Sequence, residues 1–127
     1  MVLDSSALVA IILDEPESRQ LTSKIDDAES VMIGAPTLFE TAMVLQREGG
    51  DSVVRMTGYL RSIGVKIIPF GEPHYEVSLR AFIRFGKGRH PARLNILDCM
   101  SYAIAAVAGL PLLYVGDDFS KTDIEAA

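Results

Sequence analysis

The chain has 127 residues, 49% of them apolar, a formal net charge of −5 and one cysteine, Cys99. The apolar content excludes a disordered chain, the single thiol excludes an internal disulfide, and the acidity excludes a surface that binds nucleic acid everywhere. No apolar run approaches the roughly 20 residues that span a bilayer, and no basic stretch precedes the apolar start, so a cytoplasmic protein without a membrane or signal segment is expected.

The opening Met1-Val2-Leu3 reads as a buried strand that runs into Asp4, Ser5 and Ser6 and then into a helix over Ala7–Leu13. Asp4 then lies at the carboxyl end of a strand, where open α/β sheets place ligands, although Asp and Ser here are also ordinary helix caps. Glu17–Ala28 predicts a surface helix with Leu21 and Ile25 on one face, and Val31–Ile33 a second strand ending at Gly34. Pro36 opens a helix that stops at Gly49-Gly50, and a further helix runs from Asp51 to near Gly64. Val65–Phe70 predicts a third strand, Glu72–Phe85 a helix, Gly86–Pro91 a flexible basic loop, Leu94–Gly109 a long helix and Leu112–Val115 a fourth strand. Strands alternating with helices imply right-handed crossovers and a parallel sheet, and strands this apolar imply helices on both faces.

Acids recur where this pattern passes from strand to helix. Asp4 follows strand one, Glu40 lies one turn into the helix after strand two, Asp98 opens the long helix, and Asp117 and Asp118 follow strand four. A parallel sheet brings these junctions to one edge. Clustered carboxylates repel one another, and a divalent cation removes that penalty. Oxygen ligands alone suit Mg²⁺ or Mn²⁺, which support phosphoryl displacement. From Val77 to Leu97 there is no acid, while Arg80, Arg84, Lys87, Arg89 and Arg93 fall in that stretch. Lys87, Arg89 and Arg93 are the expected phosphate contacts, at the rim of the acidic site.

The segments Val2–Leu8, Leu38-Phe39-Glu40, Gly86–Cys99 with Tyr102-Ala103, and Leu112–Phe119 with Thr122-Asp123-Ile124 together resemble a PIN-domain protein of the VapC type. The resemblance implies a single PIN domain over 1–127, a three-layer α/β/α fold around a parallel sheet of four to five strands. It implies an RNA-cleaving toxin of a toxin–antitoxin pair with a four-carboxylate Mg²⁺ or Mn²⁺ site. Asp4 and Asp98 match the main ligands, Glu40 the helix glutamate, and Asp118, with Asp117 as rival, the fourth acid. Ser5 or Ser6 would support the water network around the metal. Implied partners are RNA, a second copy in a homodimer, and a VapB-type antitoxin in a hetero-oligomer that contacts DNA only through the antitoxin. One departure stands out: relatives often carry glycine where this chain has Leu97, which would narrow the approach to the metal.

Apolar points on the early helices (Val9, Ile12, Leu21, Met56, Leu60) exceed what one small sheet needs and are expected to supply part of a two-fold interface. Two alternatives stand beside the nuclease. A receiver-type signalling domain needs paired acids after strand one and an aspartate after strand three, where this chain has Asp4 alone and Ile68-Pro69-Phe70. A catalytically silent interaction module would keep the fold without binding metal.

Overall fold

The computed structural model describes residues 1–127. The elements in chain order are β1 (Val2–Leu3), α1 (Ser5–Ile12), α2 (Ser18–Asp26), β2 (Met32–Gly34), α3 (Ala35–Glu48), α4 (Ser52–Ser62), β3 (Lys66–Ile68), α5 (Glu72–Phe85), α6 (Ile96–Ala108) and β4 (Leu112–Leu113). A 3₁₀ turn over Phe119–Lys121 follows β4. The four strands form one parallel sheet in the order β3-β2-β1-β4. Val2 pairs with Met32 and Leu112, and Leu3 with Ile33 and Leu113. A single bridge from Leu112 to Ala126 lays the C-terminus along β4. No helix is long and apolar enough to cross a membrane.

Adjacent strand residues point to opposite faces, and two cores follow from that period. Leu3, Ile33 and Leu113 join Leu8, Leu21, Leu45, Met56 and Leu60, beneath α1 to α4. Val2 and Leu112 join Ala81, Phe85, Leu94, Cys99 and Ile104, beneath α5 and α6. The result is the expected α/β/α sandwich. Coverage fails at one edge: β3 is an outer strand, and Ile67 remains 54% exposed.

Several expected boundaries move for identifiable reasons. The first helix begins at Ser5 rather than Ala7, because Asp4 itself caps it and its side chain accepts the Ser6 N–H. The long helix begins at Ile96 rather than Leu94, because Asn95 caps it and Leu94 bridges back to Gly86. β4 ends at Leu113, since the Val115 N–H donates to the Ser6 hydroxyl and not to a neighbouring strand.

The expected interface residues need correcting. Ile12, Leu21, Met56 and Leu60 are all buried inside the chain's own core, and Val9 packs against it. Six helices need more apolar surface than the sheet alone suggests, and these residues supply the helix-to-helix contacts of one layer. The large apolar residues left exposed are others, among them Phe39, Val54, Tyr75, Leu79, Ile83 and Ile96.

Candidate active site

The strand order reverses direction at β1: the chain steps outward through β2 and β3, then returns to place β4 on the other side. Such a switch point opens a crevice at the carboxyl ends of the strands. Asp4 stands there, immediately after β1, and only 3% exposed. Its Oδ2 accepts from the Ser6 N–H at 3.0 Å and from the Ser6 hydroxyl at 2.6 Å. Ser6 Oγ in turn accepts the Val115 N–H at 3.0 Å, which ties the end of β1 to the segment after β4. Asp4 is therefore both helix cap and crevice acid. One carboxylate oxygen does each job: Oδ2 holds the helix start, and Oδ1 is buried with no donor.

Glu40 comes from α3, near enough for the charge of Asp4 to act on it. Burial raises its pKa, the charges of Asp4 and Asp98 raise it further, and the nearby Ser5 hydroxyl opposes them. Its Oε2 is also buried without a donor. Asp98 comes from the first turn of α6. Its Oδ2 accepts the Asn95 N–H at 2.7 Å, while Asn95 Oδ1 accepts from the N–H groups of Leu97 at 2.7 Å and Asp98 at 2.9 Å. This reciprocal cap fixes the Asp98 carboxyl at the helix start. Burial pushes its pKa up to about 6, helped by the charges of Asp4 and Asp118 and opposed by the Asn95 N–H.

Mutual fields thus link Asp4, Glu40, Asp98 and Asp118 into one neighbourhood. Asp117 has no such effect on Glu40 or Asp98; its carbonyl accepts the Ser120 hydroxyl in the turn. Of the two candidates for the last acid, Asp118 is the one whose charge acts on Asp98. Ser5 and Ser6 do more specific work than expected: Ser6 holds Asp4, and Ser5 lies against Glu40. Asn95 was missed, although Asn-x-x-Asp ahead of an apolar run is a capping-box signal readable from sequence.

The fit to a divalent cation rests on Asp4 Oδ1 and Glu40 Oε2. A buried oxygen without a donor costs roughly 1–3 kcal/mol, and here there are two, on acids whose charges act on each other. A cation bonded to these oxygens would offset that cost. No three His, Cys, Asp or Glu side chains close into a ready ligand cluster. Mg²⁺ keeps several waters and needs only one or two protein carboxylates, so a closed cluster is not required to hold it.

The basic loop leads directly into the Asn95 cap. Lys87, Arg89 and Arg93 are exposed and line one surface hollow with His90 and Pro91. The loop is tied across by hydrogen bonds. Lys87 N donates to Leu94 O at 2.9 Å, Leu94 N to Phe85 O at 3.1 Å, and Ala92 N to His90 Nδ1 at 3.1 Å. Arg84, near the end of α5, is engaged elsewhere: it pairs with Asp123, which also accepts the Tyr102 hydroxyl at 2.7 Å. Leu97 is half-buried beside Asp98.

A family profile described as PIN domain matches residues 1–125. Ribonuclease VapC36 of Mycobacterium tuberculosis is 41% identical over 127 residues, an alignment covering 98% of this chain and 91% of the relative. Among solved structures, VapC20 of M. tuberculosis, described as a sarcin–ricin loop cleaving toxin, superimposes with a TM-score of 0.80 at 19% identity, covering 99% of this chain and 97% of that one. A toxin–antitoxin complex from Klebsiella pneumoniae gives 0.74 at 18% identity, covering 96% and 92%.

Proposed function

The chain belongs to the PIN-domain family, alongside the VapC proteins, and from that premise we propose that it is a divalent-cation-dependent endoribonuclease, the toxin of a toxin–antitoxin pair. The observation that carries this reading is the pair of buried, donor-less oxygens, Asp4 Oδ1 and Glu40 Oε2, on acids whose charges act on each other and on Asp98.

In this reading Asp4 and Asp98 hold Mg²⁺ or Mn²⁺, and Asp118 completes the site. Glu40 positions the attacking water and takes its proton. Burial and its acidic neighbours raise its pKa and so make it a better proton acceptor than an exposed glutamate. Ser6 keeps Asp4 from turning away. When bound, the cation supplies positive charge for an in-line displacement at phosphorus. Lys87, Arg89 and Arg93 bind the flanking phosphates. The test is incubation of the purified chain with single-stranded RNA. Cleavage is expected with Mn²⁺ or Mg²⁺, to stop on chelation and to return when metal is restored. Undiminished cleavage in chelator would reject the cation's role.

The same reading includes a VapB-type antitoxin. A guanidinium forms bidentate bonds with carboxylates, so an antitoxin arginine is a natural plug for this crevice. It also includes a homodimer; the row Tyr75, Leu79 and Ile83 of α5 is apolar and exposed, and supports an interface there. Light scattering at micromolar concentration is expected to give twice the chain mass. A monomer throughout that range would rule the dimer out.

A further inference from the structure

Asp98 and Glu40 come from helices on opposite layers of the sheet, yet the two helices touch. The contact includes a hydroxyl pair: Thr37 Oγ1 lies 2.9 Å from Ser101 Oγ, with Thr37 1% and Ser101 0% exposed. Thr41, also fully buried, donates its hydroxyl to the Thr37 carbonyl at 2.8 Å. At Gly34, where β2 passes into α3, an added Cβ would come within 2.9 Å of Ile104 Cγ1 and 3.3 Å of Thr37 Oγ1. The missing side chain lets α6 seat directly against the strand end that launches α3.

We propose that Thr37 and Ser101 are positioning residues, whose buried hydroxyl pair sets α3 against α6 so that Glu40 and Asp98 face one cation site. The inference rests on the cation-site reading above. Thr37 lies three residues before Glu40, and Ser101 three residues after Asp98. Residues three apart share a helix face, so each hydroxyl stands one turn from its acid. Apolar helix contacts have no preferred direction and tolerate sliding or rolling. A hydrogen bond fixes distance and angle, and here no water can replace it. A site of this kind loses function when its supports loosen by about 1 Å. A buried hydroxyl pair shared between two helices is therefore best explained by register.

Replacing only one partner strands the other, whereas replacing both with apolar groups of similar shape is nearly neutral for folding. That difference separates positioning from packing. Thr37→Val and Ser101→Ala are each expected to lower the thermal midpoint and weaken Mn²⁺ binding by calorimetry. The double variant is expected to regain most of the midpoint yet bind Mn²⁺ roughly tenfold more weakly, in the range known for removing a group that orients a metal ligand. Thr37→Ser keeps the hydroxyl and should keep the parent's affinity. A double variant with parent affinity overturns the inference and leaves the cation site standing. A parent chain that binds no Mn²⁺ overturns the site reading and this inference with it. If the double variant does not fold, Thr37→Val alone decides when titrated below its unfolding range: parent affinity there overturns the inference.

Discussion

Asp98→Asn is expected to abolish Mn²⁺ binding and cut RNA cleavage by more than about a hundredfold, a larger effect than removing a merely supporting group gives. The same substitution should make the metal-free chain more stable. Folding raises the Asp98 pKa from 3.8 to about 6, so the folded state binds this proton more tightly than the unfolded one. The penalty is absent below pH 3.8, grows as pH rises through the window up to about 6, and is full at neutral pH. A two-unit shift corresponds to about 3 kcal/mol, and solvent screening of this partly exposed carboxyl reduces that to about 1–2 kcal/mol. Asparagine removes the charge and keeps an oxygen for the Asn95 N–H, so the helix cap survives. Thermal unfolding in chelator should show a gain of a few degrees at neutral pH and little gain near pH 4. A variant that binds Mn²⁺ with the parent's affinity would remove Asp98 from the ligand set.

The combined change of Lys87, Arg89 and Arg93 to alanine is expected to weaken RNA binding roughly ten- to a hundredfold at low salt. It should also lower the slope of log affinity against log salt by up to about three units, one for each phosphate no longer neutralised. The whole chain carries a charge of −5, so the attraction has to come from a local patch. These three side chains are exposed on a loop held shut by backbone hydrogen bonds, and none of them forms a salt bridge within the chain. Arg84 is left out of the triple change because it is committed to Asp123. Mn²⁺ affinity should remain near the parent's value, since the three are not among the acids. Filter binding in Ca²⁺, if that ion blocks cleavage, gives the RNA affinity and its salt slope. An unchanged affinity and slope would make the loop a solvated surface and send the search for the RNA path to another face.

The sequence alone revealed much of this. Apolar runs broken by Gly, Pro and polar clusters located the strands and helices to within a few residues, because strand and helix periods are local properties. The expectation that Asp4, Glu40, Asp98 and Asp118 share a site took one further step: a parallel sheet gathers its strand-to-helix junctions at one edge. What sequence did not show depends on contacts between distant segments. The burial of Ile12, Leu21, Met56 and Leu60 depends on how α1, α2 and α4 stack, so periodicity marks them as apolar without saying what covers them. Any preference between Asp117 and Asp118 depends on which of them acts on Asp98, a contact between distant segments. Thr37 and Ser101 read as ordinary helix residues until α3 and α6 are placed together. The dual role of Asp4 was half visible: cap and crevice acid looked like competing readings, and the two carboxylate oxygens divide them.

Whether acids from separate elements make one cation site is tested most directly by calorimetric titration of the metal-free chain with Mn²⁺, at neutral pH and again below pH 6. Carboxylates must lose their protons to bind metal. Binding is therefore expected at neutral pH, with proton release, and with an affinity that falls as pH drops through the Asp98 range near 6. Asp98→Asn run alongside should give no binding heat. Absence of Mn²⁺ binding by the parent at neutral pH, or binding that Asp98→Asn leaves intact, would contradict a shared carboxylate site.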